Sequence, residues 1–240
     1  MNVHYKTRAL VLKKEDRGEA DRVFTVFSQD LGRVELFAKS IRAITSKLKG
    51  GIEIFSLAEL EFIQGKTRKT LIEASFEQKF SRIARTPEKL AMAMSACRAV
   101  DDFIKGQEAD SRVWDLLAGF FSKLADETLQ IPGQRLYYYF FWNFISALGY
   151  APELFQCAIC SEKLAQSGLG FSYKEGGVVC AACVTAGRHA TRINPDIVKV
   201  LRLIANNDWP TLSRLTVKPA SSRLLKKVSD NYYRYLAYKP

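Results

Sequence analysis

The chain has 240 residues, 48% of them apolar and 25% charged, and a formal net charge of +11. This is a globular balance, long enough for one large domain or two to three small ones, and it can bury a real core. The most apolar run, Tyr137 to Tyr150, contains Asn143 and Ser146 and is shorter than the roughly 18 to 20 residues that a membrane span needs.

The start, MNVHYKTRAL, has no apolar signal core, so a cytoplasmic protein with reduced thiols is expected. Charge is unevenly spread. Lys and Arg number 15 against 11 Asp and Glu over residues 1–80, 10 against 11 over 81–184, and 11 against 3 over 185–240. A polyanion partner is the natural reading: nucleic acid first, an acidic protein tail second, an anionic membrane third. A plainly solvated surface is the competing one.

Over the first 80 residues apolar runs alternate at strand spacing: Ala9 to Leu12, Val23 to Phe27, Val34 to Ala38, Ile52 to Phe62 and Leu71 to Phe76. Turn signals separate them at Arg17-Gly18, Asp30-Leu31-Gly32, Gly50-Gly51 and Gln64-Gly65. Five short strands predict a small closed barrel, because closure removes exposed edges. Two basic loops accompany them. Lys39 to Gly51 carries Lys39, Arg42, Lys47 and Lys49 without one acid, and Lys66, Arg68 and Lys69 cluster near Gly65.

At Thr86-Pro87-Glu88 the period becomes helical, with Thr86 as cap and Leu90, Met94, Cys97, Val100 and Ile104 as the apolar stripe. A second helix is expected from Asp110 or Ser111, with Val113, Trp114, Leu117, Phe120, Phe121 and Leu124 inward. A third follows Pro132 and runs to Leu148. It is apolar on nearly every side and so belongs in the middle of a core. Asn194-Pro195-Asp196 starts another helix, and a last one is expected from Ser221 to Leu236, with Arg223, Lys226, Lys227 and Arg234 on its polar faces. These four are expected as a second basic surface, for DNA or equally for an acidic peptide.

Four of the five cysteines fall in the pattern C-x2-C-x19-C-x2-C: Cys157, Cys160, Cys180 and Cys183. Each C-x-x-C turn aims two sulfurs at one point, and two such knuckles make a tetrahedron around zinc. Two disulfides or an iron–sulfur cluster are the alternatives. Four thiolates close the sphere, so the expected zinc is structural, one per chain. His189 stands six residues past Cys183 and reads as a surface residue; Cys97 reads as a small core residue.

Enzyme signals are poor. Gly65-Lys66-Thr67 resembles the end of a phosphate-binding loop, but position 60 is leucine where that motif needs glycine. The chain has two histidines, and neither opens an H-x-E motif. Nothing pairs carboxylates such as Glu19 and Asp21 for acid–base work, so a non-enzyme is expected.

The segment LVLKKEDRGEADRVFTVFSQDLGRVELFAKSIR resembles the amino-terminal signature of the bacterial RecO family of recombination mediators. YYYFFWNFISALGYAPELFQCAIC resembles that family's central helix and first knuckle, and GFSYKEGGVVCAAC its second. The resemblance implies an α+β chain: an OB-fold barrel over 1–80, a helical domain over 81–156 and 184–240, and a four-cysteine zinc module over 157–183 inserted in it. It also implies binding of single- and double-stranded DNA, annealing of complementary strands, and work with RecR and the tail of single-stranded DNA-binding protein (SSB) to load RecA. No membrane partner is implied, and the place of action is the cytoplasm, at the nucleoid. DNA contacts are expected from Lys39, Arg42, Lys47, Lys49, Lys66, Arg68 and Lys69. Of Phe24, Phe27, Phe37, Phe55 and Phe62, one or two are expected free to stack on bases. The competing function is a protein adaptor whose basic surface docks acidic partners, with little direct DNA binding.

Overall fold

The structure, a computed structural model, describes residues 3–128, 134–186 and 189–238. It divides into two compact units, Met1–Gln130 and Ile131–Pro240.

The first unit opens with β1 (Val3–Arg17), β2 (Asp21–Ser28), β3 (Gly32–Ala38), β4 (Ser56–Gln64) and β5 (Lys69–Lys79). They close a barrel in the order β1-β2-β3-β5-β4, an OB-like arrangement. Period-two alternation explains it. Ala9 and Val11, Phe24 and Val26, Val34 and Leu36, Ala58, Leu60 and Phe62, and Leu71 all enter one buried cluster. Burying each large side chain contributes about 1.5–3 kcal/mol.

The first strand is far longer than its apolar run. Its front half, Val3 to Leu10, pairs with β4, and its back half, Ala9 to Arg17, pairs with β2. Polar residues at both ends are held by backbone hydrogen bonds, so hydropathy sees only the middle. A register shift between Val11 and Lys13 leaves Leu12 as the extra residue. Leu12 stays 2% exposed without joining the barrel cluster.

Two helices complete this unit, α1 (Pro87–Phe103) and α2 (Ser111–Ala125). The sequence reading groups them with the later helices; here they fall in the same compact unit as the barrel. Phe121 of α2 stands 5.9 Å from Phe55 and 5.6 Å from Phe80. The buried stripe of α1 is Met92, Ala93, Ala96, Cys97, Ala99 and Val100. Met94, expected inward, is 58% exposed, because the alanines form the closer-packing face. Thr86 occupies the cap position but makes no side-chain bond, whereas Asp110 caps α2 by accepting from the N–H groups of Arg112 and Val113.

The second unit contains α3 (Arg135–Ala147), β6 (Gly170–Ser172), β7 (Gly177–Val179), α4 (Ala181–Thr185), β8 (Thr191–Arg192), α5 (Pro195–Ala205), α6 (Trp209–Arg214) and α7 (Pro219–Ala237). Pro132, read as preceding the third helix, lies outside the described residues. As its all-round apolarity predicts, α3 buries seven of its residues, Leu136 through Ile145. Trp142 stacks on Tyr232 of α7 at 5.3 Å, meets Phe171 of β6 edge-on at 5.7 Å, and donates from Nε1 to Ser229 Oγ at 2.9 Å. Thus one indole joins the central helix, the last helix and the small sheet. Asn194 caps α5 through Ile197 N–H and also donates to Ser221 Oγ, which in turn donates to Asp196. Helix α6 had no expected counterpart. Asp208 caps its start, and the Arg135 guanidinium donates to the carbonyls of Leu212, Ser213 and Leu215 at its end.

Candidate nucleic-acid interface and metal centre

The first basic loop leaves β3 after Ala38 and is pinned at its root. Ser40 takes a left-handed backbone conformation (φ 52), and its N–H is accepted by Asp21 Oδ1 at 2.7 Å. The Arg42 N–H bonds Ala20 carbonyl at 2.9 Å. Asp21, the first residue of β2, therefore anchors the root of the loop. Ile41 sinks into the barrel core at 2% exposed, while Ile44 at the outer end is 99% exposed. The loop then forms a 3₁₀ turn, Lys47–Gly50. Gly51 follows where a Cβ would collide with the Ala74 carbonyl of β5. Lys39, Arg42, Lys47 and Lys49 are all exposed. Arg42 is partly engaged, 3.5 Å from Asp16 and 3.4 Å from Gly18 carbonyl. Among the described residues no ion pair reaches Lys39, Lys47 or Lys49.

The second basic loop is the turn between β4 and β5, closed by Gly65 N–H to Arg68 carbonyl at 2.9 Å. Lys66 and Arg68 are exposed and Lys69 is half-buried. Lys69 lies opposite Leu36, and Thr70 opposite Phe37, in the parallel pairing that closes the barrel. Of the five phenylalanines expected to compete for stacking, Phe24, Phe27, Phe55 and Phe62 are at most 6% exposed. Phe37 alone of them is only half-buried. The Arg68 guanidinium lies over its ring, 3.9 Å from the centroid.

Beside this pair opens a cleft of about 500 Å³. It includes residues that sequence reasoning missed: Arg33 and Glu35 of β3, Gln64 of β4, and Lys105 and Gln107 from the connection between α1 and α2. Arg33 bonds Glu35 and Asp101 at 2.8 and 2.7 Å. Burial opposes its charge, but the hydrogen bonds to Glu35 and Asp101 outweigh this and raise its pKa.

On α7, Arg223, Lys226, Lys227 and Arg234 are exposed. At about 100° per residue they share one face of roughly 100° arc. Lys226 is paired with Asp230 at 2.9 Å, which leaves Arg223, Lys227 and Arg234 as the stripe.

The four cysteines converge within the second unit. Cys157 to Ser161 forms a tight turn, with Ser161 N–H on Cys157 carbonyl and Ser161 at φ 61. Cys180 is the residue before α4, which carries Cys183. All four Sγ atoms lie within 4.8 Å of one another. Cys157 and Cys183 sulfurs are 3.8 Å apart, Cys160 and Cys180 3.7 Å. A disulfide is about 2.05 Å, so these are free thiols. A metal–sulfur bond of about 2.3 Å with tetrahedral angles requires edges of about 3.8 Å, so the donor set fits a four-coordinate metal and is compatible with zinc. Cys157 is buried, which pushes its thiol up, but backbone N–H donors from Cys160, Cys180 and Ile159 prevail and bring it down to about 6. Those donors stabilise a thiolate. His189 is exposed and does not belong to the cluster. Cys97 is buried in α1, where burial pushes its thiol up, as befits an inert core residue. No described helix is long and apolar enough to cross a membrane.

Comparison with known proteins adds two family matches, described as "Recombination protein O N terminal" over residues 1–80 and "Recombination protein O C terminal" over 84–240. Proteins named DNA repair protein RecO are similar along most of their length. That of Dehalococcoides mccartyi is 34% identical over 213 residues, covering 89% of this chain and 83% of the relative. That of Roseiflexus sp. is 27% identical, covering 97% and 81%, and that of Nocardioides sp. 29%, covering 98% and 93%.

Proposed function

Because the chain belongs to the RecO family of DNA repair proteins, we propose that it is a DNA-binding recombination mediator. It binds single- and double-stranded DNA, anneals complementary strands, and works with RecR to load RecA onto SSB-coated single strands in the cytoplasm, at the nucleoid. The observation that carries this reading is the barrel face itself. The Lys66 to Lys69 turn lines a cleft whose wall holds the half-exposed Phe37, and the Lys39 to Lys49 loop continues from the end of the strand that carries Phe37. A basic groove with a stacking platform is how OB barrels hold single strands. The α7 stripe of Arg223, Lys227 and Arg234, with Lys226 beside it, supplies a second surface for duplex or strand. The reading contains no catalytic step. One structural zinc per chain, held by Cys157, Cys160, Cys180 and Cys183, keeps the knuckles and β6–β7 folded.

Fluorescence anisotropy of a labelled single-stranded oligonucleotide against salt tests this. For single strands log K falls with log salt by about 0.7 per phosphate neutralised. A slope of several phosphates supports the reading; weak, salt-insensitive binding removes it.

The adaptor reading has its own observation. An apolar trough of about 480 Å³ runs between α5 and the knuckle segment, lined by Leu164, Leu169, Val198 and Leu203 beside Asp196, Lys199 and Arg202, the Arg202 guanidinium donating to the Leu154 carbonyl. An apolar floor with two cations against one acid at its rim suits an acidic peptide with an apolar end, such as the SSB tail. Lys199→Glu is expected to weaken binding of such a peptide and leave oligonucleotide affinity unchanged.

A further inference from the structure

We infer that the cleft beside Phe37 is a nucleobase pocket, in which a single-strand base stacks on the Arg68 guanidinium while Lys105 holds the neighbouring phosphate. The inference rests on the DNA-binding reading and goes further by naming the subsite. Phe37 projects from the barrel wall opposite Val23 on β2, away from the buried cluster, which contains neither. Its ring is already covered by Arg68 at 3.9 Å. A planar cation laid on an aromatic ring is itself a platform: its outer face takes a base, and its charge favours the π-system.

The remaining cleft chemistry suits a phosphate. Glu35 is the acid lining it, and that carboxylate is bonded to Arg33. Lys66, Lys69 and Lys105 stand around the Phe37–Arg68 pair, with the Gln107 amide beside them; Lys105 Nζ donates one proton to the Asp101 carbonyl at 2.6 Å and keeps two others for a phosphate. A free anion would need no aromatic wall, and an apolar ligand would need no lysines. A volume of about 500 Å³ lies in the range of pockets that enclose small ligands.

Gly32 brings the third wall into place. It has φ +65, and the Glu108 carbonyl occupies the space a Cβ would fill. The α1–α2 connection therefore lies directly on the β2–β3 hairpin, and this delivers Lys105 and Gln107 to the cleft. The turn signal Asp30-Leu31-Gly32 thus has a second role beyond the hairpin.

The test uses the full chain and two strands of equal length and charge, one with bases and one fully abasic. Wild type is expected to prefer the strand with bases by roughly 5- to 150-fold, the range for one stacked base. Arg68→Lys, which keeps the charge and loses the plane, and Phe37→Ala should each abolish most of that preference with an unchanged salt slope. Lys105→Gln should keep the preference and lower the slope by about 0.7. Arg68 is exposed, so its variant reports even if Phe37→Ala folds poorly. Equal losses on both strands in Arg68→Lys would overturn the pocket, as would a wild type without base preference but with a steep salt slope. Failure of wild type to bind either strand would instead remove the DNA-binding reading, and the pocket with it.

Discussion

Neutralising the three lysines of the first loop, Lys39, Lys47 and Lys49, as glutamines should flatten the salt dependence of DNA binding by a calculable amount. Each is exposed, and among the described residues none has an ion-pair partner to give up. Each can therefore release about 0.7 counterion from a single strand, about two in all. Over a fourfold rise in salt, from 50 to 200 mM, a slope lower by about two means roughly twentyfold less loss of affinity. Arg42 makes the internal control. Its guanidinium already faces Asp16, at 3.5 Å, and Gly18 carbonyl, at 3.4 Å, so Arg42→Gln alone should change the slope by clearly less than one lysine does. Anisotropy titrations at five salt concentrations, on two unrelated sequences, measure both. The triple variant should weaken on both sequences alike, since phosphate contacts do not read bases. An unchanged slope would refute the reasoning and take the loop out of the interface.

Further expectations concern metal, core and pH. Purified protein should contain one equivalent of zinc per chain by elemental analysis, and Cys157→Ser, at the buried ligand, should lose it and become insoluble or poorly folded; a well-folded, metal-free variant with normal DNA binding would make the cluster dispensable. Trp142→Phe strands the Ser229 hydroxyl, itself 1% exposed, and should cost about 1–3 kcal/mol in urea unfolding; a cost near zero would mean the hydroxyl finds another partner. The Arg8 guanidinium bonds both carboxylate oxygens of Glu77, at 2.7–3.0 Å, and these hydrogen bonds hold the Glu77 pKa below its usual value. A depressed carboxylate stabilises the fold above the unfolded value of about 4.3 and loses that contribution as pH falls through the folded value. Glu77→Gln should therefore be less stable than wild type at pH 7 and converge with it towards pH 3, and parallel acid-melting curves would contradict this.

What was legible from residues alone followed how local the cause was. The knuckles are local: two residues between cysteines fix each pair of sulfurs, so C-x2-C-x19-C-x2-C led directly to four thiols on one point. Strand cores and the all-apolar α3 were legible for the same reason. The ends of β1 were not, because backbone pairing with β2 and β4, rather than hydropathy, holds Val3 to Lys6 and Lys13 to Arg17 in place. The stripe of α1 was misphased at Met94 because alanine contributes little to an apolar pattern yet packs closely. Choosing Phe37 among five phenylalanines requires knowing which face of each strand lines the barrel. Lys105 and Gln107 lie 26 and 28 residues past Lys79, the end of the last barrel strand. Only the close approach at Gly32 brings them there, and one glycine in a turn motif does not disclose its distant neighbour.

The barrel is closed along two registered residue pairs, Leu36 with Lys69 and Phe37 with Thr70, in parallel pairing, the slightly weaker kind. Amide exchange should therefore be fastest there among the barrel ladders. Phe37 and Lys69 are at once members of this seam and residues of the cleft. A strand seated against them would tighten the seam, and by reciprocity any substitution that loosens the seam would weaken the strand's hold. On the proposed reading, closing the barrel and gripping a DNA strand are then two readouts of one local equilibrium.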